Sequence, residues 1–304
     1  MDSGKGYSLG VKSKREGKWN ALMHVFFILY SLCCVMSIII VISTSLSDEM
    51  SVLRNGFGII PQGFTFSAYK SILAKPMVLA RAYLVTITVS LAGCSVGLFL
   101  VSSLGYVLSR PDFILRKQLS FFVFFTMLFN GGVVPFYILI SMWLGLKNNV
   151  LALILPYLVS AWYVLLMKGY MAGIPFSLIE SAKIDGAGEL RIFFRIVVPI
   201  SKPALATVGL FLLLQYWNDW WLSMLFITRE ELYSLQYLLV RILNNIEFLA
   251  KNLHKLVSGM ARVSLPTITA RFAMCILAAG PMLFVFMFFQ RFFMRGIVVG
   301  SIKE

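Results

Sequence analysis

Long apolar runs alternate with short polar breaks along this chain, and the lengths of the runs carry the first inference. A helix rises 1.5 Å per residue, so about 20 apolar residues cover the hydrocarbon core of a bilayer. Six runs reach that length: 21–43, 81–108, 119–144, 149–168, 204–227 and 271–291. The second has no charged residue between Ala82 and Ser109, and the third has none between Gln118 and Leu146. Gly93 and Gly97 punctuate the second, and Gly131, Gly132 and Pro135 the third. Glycine lets helices approach closely in lipid, and proline is tolerated there when neighbours satisfy the freed carbonyl. The pattern predicts an all-α membrane protein with six transmembrane helices. It divides the chain into a tail (1–20), a first span (21–43), an outer segment (44–80), a core (81–291) and a C-terminal tail (292–304). The core holds a polar hairpin at 175–203 and an outer loop at 228–270. No internal repeat makes two equivalent halves.

Composition agrees with this picture. Of 304 residues, 59% are hydrophobic and 13% are charged, against roughly 25% charged in soluble domains. The net charge of +14 does not imply nucleic acid, because the cations are spread over short segments between apolar runs. They read as topological signals instead. With the N-terminus inside, the inner segments hold the larger share of the 27 Lys and Arg, including Lys14, Arg15, Arg110, Arg116, Lys183, Arg191, Arg195 and Arg295. Both termini are therefore expected in the cytoplasm, in a multi-pass protein of the plasma membrane. The first apolar run exceeds the roughly 7–15 residues of a signal-peptide core, and reads as a retained span. Cys33, Cys34, Cys94 and Cys275 all sit in apolar runs, with His24 and His254 as the only histidines. That pattern suits buried small hydrophobes rather than a metal site or a disulfide framework.

One polar segment stands out against the apolar background. Pro175-Phe176-Ser177-Leu178-Ile179-Glu180 reads as a helix start, with Ser177 and Glu180 at capping-box spacing. A short helix would run to about Ile184. Gly186 and Gly188 would allow a turn with positive φ. A second amphipathic stretch, Leu190 to Val197, follows, and Pro199 and Pro203 would stop and redirect the chain. By pattern alone, an ordinary interfacial helix and a docking element for a soluble partner fit equally well.

The spacing within this hairpin resembles a family signature. Glu180-Ser181-Ala182, then Gly186, Ile196 and Pro199, is similar to the Glu-Ala-Ala (EAA) motif of permeases from binding-protein-dependent ABC importers. Ser181 stands for the first Ala and Val198 for a Leu, both small or apolar exchanges. Asp185-Gly186-Ala187 resembles the carbohydrate-importer form of the motif. Asn130-Gly131-Gly132 with Pro135, Trp217-Asn218, and the run from Pro266-Thr267 through Arg271, Gly280-Pro281 and Phe289-Gln290-Arg291-Phe292 resemble the same group. The likeness covers nearly the whole chain. It is nearest to the second subunit of maltose-type permeases in the branch for oligosaccharides or polysaccharide fragments.

The resemblance implies a type I ABC importer permease fold and a mechanism of alternating access. Glu180, Ser181, Ala182, Asp185, Gly186 and Ala187 become ATPase-coupling residues, with the short helix seated in a groove of a cytoplasmic ATPase. The implied partners are a second homologous permease subunit, two copies of the ATPase, an extracellular solute-binding protein and membrane lipid. The loop around Leu235-Gln236-Tyr237-Leu238-Leu239 would face the binding protein. ATP and Mg would belong to the ATPase, because this chain contains no Gly-x4-Gly-Lys-Ser/Thr phosphate loop. The chain itself is expected to bind no cofactor and to catalyse nothing.

A sugar presents both hydroxyls and apolar C–H faces, so its path needs hydrogen-bonding and aromatic side chains. Asn130, Tyr163, Gln215, Tyr216, Trp217, Asn218 and Asp219 are the candidates, with Tyr157 and Trp162 nearby. An aromatic belt at the outer interface is the better account of the cluster in the fifth run as a whole, because the cluster lies near the outer end of that run, and both readings can hold for different residues. An intramembrane enzyme is disfavoured, since no HExxH, GxSxG or intramembrane aspartate pair occurs. A channel or secondary transporter without an ATPase partner is the alternative. It would call for midplane ionisable groups or inverted repeats, and the apolar runs carry neither clearly.

Overall fold

The computed structural model describes residues 14–74, 76–256 and 268–299. The tail through residue 13, residues 257–267 of the outer loop with Pro266 and Thr267, and residues 300–304 of the C-terminal tail lie outside the described residues. Every regular element among the described residues is helical. The chain forms two compact units, one from 1–72 with 261–276 and the other from 73–260 with 277–304.

The first unit begins with α1 (Lys14–Ser45), a long apolar helix, followed by α2 (Glu49–Asn55) and α3 (Ser67–Ile72). Asp48 caps α2 by accepting the Ser51 N–H at 3.1 Å. Buried Glu49 caps the last long helix: it accepts the N–H groups of Ile268 and Thr269, both at 2.9 Å, and the Thr269 hydroxyl at 2.8 Å. A carboxylate on free N–H groups at a helix start is favoured by both hydrogen bonding and the helix dipole.

The second unit is organised around α4 (Pro76–Ser109), which is 34 residues long. Next come α5 (Arg116–Leu128), α6 (Val133–Ile138) with a π-helical end at Leu139–Trp143, α7 (Leu151–Ile154) and α8 (Ala161–Ala172). The hairpin consists of α9 (Phe176–Ile184), α10 (Glu189–Ile192), a π turn at Phe193–Val197 and α11 (Val198–Ile200). The unit continues through α12 (Lys202–Trp217), α13 (Trp221–Phe226) and α14 (Leu235–Leu256). The last helix, α15 (Ile268–Val299), contains Pro281.

Glycines on one face of α4 set its packing. A methyl group at Gly105 would fall 2.7 Å from Met167 Cβ on α8, and one at Gly93 would fall 2.4 Å from the Tyr216 ring on α12. Backbone approach of this kind drives helix association where burial from water cannot. The buried core continues through Val101, Val164, Ile192, Val197, Val208 and Leu212 into the hairpin.

Among the described residues, three helices are long and apolar enough to cross a membrane, or up to six if each bent pair counts as one span. The run expected as one span over 119–144 breaks between α5 and α6 and bends by 110°, where Gly132 adopts φ 85°. The 149–168 run breaks before α8 and bends by 47°. The run expected at 204–227 ends at Trp217, and the chain bends by 84° at Ser201 between α11 and α12. The cysteine expectation also changes. Cys33, Cys34 and Cys275 are exposed on the chain and Cys94 is half-buried, because apolar helices in lipid bury only part of their circumference.

Candidate coupling site

Helix α9 ends at Ile184, as the spacing predicts, but it starts without the expected capping box. Pro175 occupies the N-cap and no side chain caps the turn, which places Ser177 inside the helix. Its carbonyl accepts the Ser181 hydroxyl at 2.9 Å. Gly186 has φ 75°, whereas Gly188 has φ −72° and needs no glycine for its conformation. The turn closes through Gly186 N–H to Lys183 O (3.0 Å) and Ala187 N–H to Ala182 O (2.9 Å).

The six signature residues divide by direction. Ala182 is buried and Ala187 half-buried against the unit's own core, beside Ile179, Ile192 and Phe193. A larger side chain at Ala182 would have to displace that core. Glu180, Ser181, Asp185 and Gly186 are exposed. Beside them stand exposed apolar side chains: Ile184 is 86% and Leu190 75% accessible. Two carboxylates bordering an exposed apolar tip form a surface suited to a protein partner.

A charge cluster that the sequence reading does not single out joins the hairpin to the end of α4. Arg110, only 5% exposed, donates from Nε and Nη2 to the two oxygens of Asp112 (2.8 and 2.6 Å) and from Nη1 to Glu189 Oε2 (2.9 Å). Tyr106 donates to the same Glu189 oxygen at 2.9 Å and accepts from Arg110. Lys183 Nζ lies 2.8 Å from Asp112 Oδ2 and 3.2 Å from Glu189 Oε1. Hydrogen bonding to Arg110, supported by Lys183, holds the Asp112 carboxyl well below the usual carboxylate range. The Asp112 hydrogen bond, then that of Glu189, raises the Lys183 ammonium. Bidentate guanidinium–carboxylate pairing fixes orientation as well as charge. In the sequence, Arg110 and Lys183 look like two more inner-face cations. Only the fold brings residues 79 positions apart (Arg110 and Glu189) into one cluster.

The suggested path residues fall into two groups. Asn130 is exposed at the α5–α6 break, where its Oδ1 accepts the Gly132 N–H at 2.9 Å. Asn218 is exposed, Gln215 is half-buried, and half-buried Tyr163 stacks on Phe211. Tyr216 and Trp217 are buried, and their polar atoms donate to the carbonyls of Ile154 (2.8 Å) and Ala278 (2.9 Å). In this conformation those two present packed rings rather than free polar groups. Asp219 accepts from the Tyr157 hydroxyl at 2.9 Å and the Leu222 N–H at 3.2 Å, so it holds α13 in place. No group of three or more His, Cys, Asp or Glu that could hold a metal ion occurs among the described residues.

Residues 97–299 match the family model of the binding-protein-dependent transport system inner membrane component. The polygalacturonan/rhamnogalacturonan transport system permease protein YtcP of Bacillus subtilis (strain 168) is 36% identical over 285 residues, covering 94% of this chain and 98% of the relative. Protein LplC of the same organism is 32% identical over 269 residues, covering 88% and 89%. A bacterial ABC transporter involved in import of the acidic polysaccharide alginate contains a chain of the same fold. Its TM-score is 0.77 at 27% identity, covering 93% of this chain and 99% of that one. Permease subunits of this kind are not themselves enzymes. The chain belongs to the family of inner membrane components of binding-protein-dependent ABC transport systems, as a multi-pass membrane permease subunit.

Proposed function

We propose that this permease moves an oligosaccharide or polysaccharide fragment inward by alternating access, driven by a separate ATPase docked on the 175–203 hairpin. The observation that carries the reading is the hairpin's division of labour. Ala182 and Ala187 bind it to the transmembrane core, while Glu180, Asp185, Ile184 and Leu190 face outward. An element fixed on one side and free on the other can transmit motion between a soluble engine and a membrane path.

In this reading each bent pair is one span. That gives six spans with both termini in the cytoplasm, and the hairpin lies on the same side. Two copies of the ATPase bind ATP and Mg, and one takes the hairpin. A second homologous permease subunit completes the path, and a solute-binding protein delivers substrate to the 228–270 loop. Sugar cargo is supported by relatives named for polygalacturonan and rhamnogalacturonan, for arabinooligosaccharides and for alginate. Asn130, Tyr163, Gln215 and Asn218 supply the accessible polar and aromatic groups of the path. Tyr216, Trp217 and Asp219 support it from within the subunit.

Gentle extraction of a tagged copy from native membranes, followed by mass spectrometry, tests the proposal. Co-purification of an ABC ATPase, a homologous permease and a sugar-binding lipoprotein is the expected result. Recovery of this chain alone, under conditions that keep a known importer intact, would return the hairpin to an ordinary interfacial loop and favour a channel or secondary transporter.

A further inference from the structure

Helix α4 has polar joints near both ends. At one end Arg110 and Tyr106 hold Glu189, and Asp112 beyond them holds Lys183, so the hairpin is bound to the helix through both its limbs. Toward the other end the buried Thr86 hydroxyl accepts the Leu235 N–H at 2.8 Å, where α14 begins. Arg81 lies 3.6 Å from Glu231 in the same loop. Between the joints α4 is unbroken, and its only proline is Pro76 at its start. At 1.5 Å per residue its length is about 50 Å, enough to cross a bilayer. Its glycine face is pressed against α8 and α12, so it has little room to flex independently.

These joints differ from snorkelling anchors. Arg110 is 5% exposed and Thr86 is 1% exposed, and each satisfies partners that belong to another element. If the hairpin moved without α4, the guanidinium would lose the Glu189 carboxylate, and Asp112 would lose Lys183. If α4 moved without the loop, a buried main-chain N–H would lose its acceptor. Leaving such groups unpaired is costly, so the low-cost displacement is one in which all three move together.

We propose that α4 is a connecting rod. It carries the state of the hairpin to the loop around Leu235, with Arg110 and Thr86 as positioning residues at its two joints. The inference rests on the functional reading above, in which the hairpin meets the ATPase and the loop meets the binding protein. ATP binding at one face and binding-protein docking at the other then bias the same element. Linkage makes the effect reciprocal: each partner alters the other's affinity by the same factor.

The test uses the assembled complex purified with its own ATPase. The four cysteines are replaced by alanine, and an environment-sensitive fluorophore is placed at Glu230→Cys, an exposed loop position. The probe ligand is Mg-ATP with vanadate, which traps the ATPase without any need to know the sugar. The expected result is a fluorescence change in the control. It falls at least about fivefold in Arg110→Gln and Thr86→Val, the lower end of common coupling factors, while nucleotide trapping is retained. Thr86→Ser keeps the acceptor and restores the change.

Full amplitude in Thr86→Val or in Arg110→Gln would overturn the proposal. Equal loss in Thr86→Ser and Thr86→Val would also overturn it, because packing rather than the hydroxyl joint would then be responsible. If Arg110→Gln does not assemble, the Thr86 pair decides alone. No change in the control, with nucleotide trapped, would overturn the rod and leave hairpin docking intact. Absence of any ATPase from the complex would instead remove the functional reading beneath it.

Discussion

Gly93→Ala is a stringent test of how α4 and α12 fit together. The new methyl would lie 2.4 Å from Tyr216 Cζ and 2.6 and 2.7 Å from the two Cε atoms. Carbon atoms in good contact stand about 3.5–4.0 Å apart, so the ring would have to retreat by roughly 1 Å. It has little freedom to do so. Tyr216 is buried, its hydroxyl donates to Ile154 O at 2.8 Å, and its edge meets Tyr157 with ring centroids 5.8 Å apart. Overpacking costs about 1–3 kcal/mol, and loss of the tyrosine hydrogen bond adds about 1 kcal/mol. A total of about 2–4 kcal/mol follows, which for a chain of this size lowers the melting temperature by roughly 5–10 °C. The assay is thermal unfolding of the purified permease complex in detergent. Gly280→Ala, where nothing lies within 4 Å of the new methyl, is the control and keeps the parental melting temperature. Tyr216→Leu, by opening space, relieves part of the Gly93→Ala loss. If Gly93→Ala melts with the parent protein, the close approach of α4 to α12 is wrong.

Other consequences are narrower. Glu180→Lys and Gly186→Pro leave the permease inserted but uncouple ATP hydrolysis from uptake. Normal substrate-stimulated hydrolysis and normal uptake in either variant would refute the coupling assignment. Glu49→Ala strips the cap from Ile268 and Thr269 and costs about 1–3 kcal/mol, read as a lower melting temperature and faster proteolysis near the start of α15. The Asp112 joint is insensitive to pH over the physiological range. Its folded pKa is depressed by Arg110 and then Lys183, so its stabilisation is complete above the unfolded value near 4 and fades only as pH falls through the folded value. The difference in hairpin proteolysis between Asp112→Asn and the parent therefore stays constant from about pH 8 to about pH 5. A difference that shrinks across that window would contradict the assignment.

The extent of each feature's legibility follows from how local its cause is. The end of α9 at Ile184 and the positive φ at Gly186 were readable because turn chemistry acts within a few residues. The signature spacing is local too, and it pointed to the right family. The bend at Ser201 was readable, since it falls between Pro199 and Pro203, which cannot continue a helix unbroken; the bend at 129–132 was not, because an apolar run has the same composition whether it is straight or broken. Burial of Tyr216 and Trp217 was equally hidden. In a helix that is apolar all round, hydrophobic periodicity no longer marks the inward face. The Arg110–Glu189 pair depends on tertiary contact between residues far apart in sequence. Both residues look like ordinary surface charges until the hairpin folds back on α4.

The account depends most on what covers the outward face of the hairpin. A photo-crosslinking amino acid at Ile184, the most accessible apolar side chain of α9, tests this in native membranes. The account predicts an adduct with the ABC ATPase chain, weakened by Glu180→Lys and absent from the parent protein without the probe. An ATPase that co-purifies with the permease but forms no adduct from Ile184, while a probe at another exposed position captures it, would contradict the central claim.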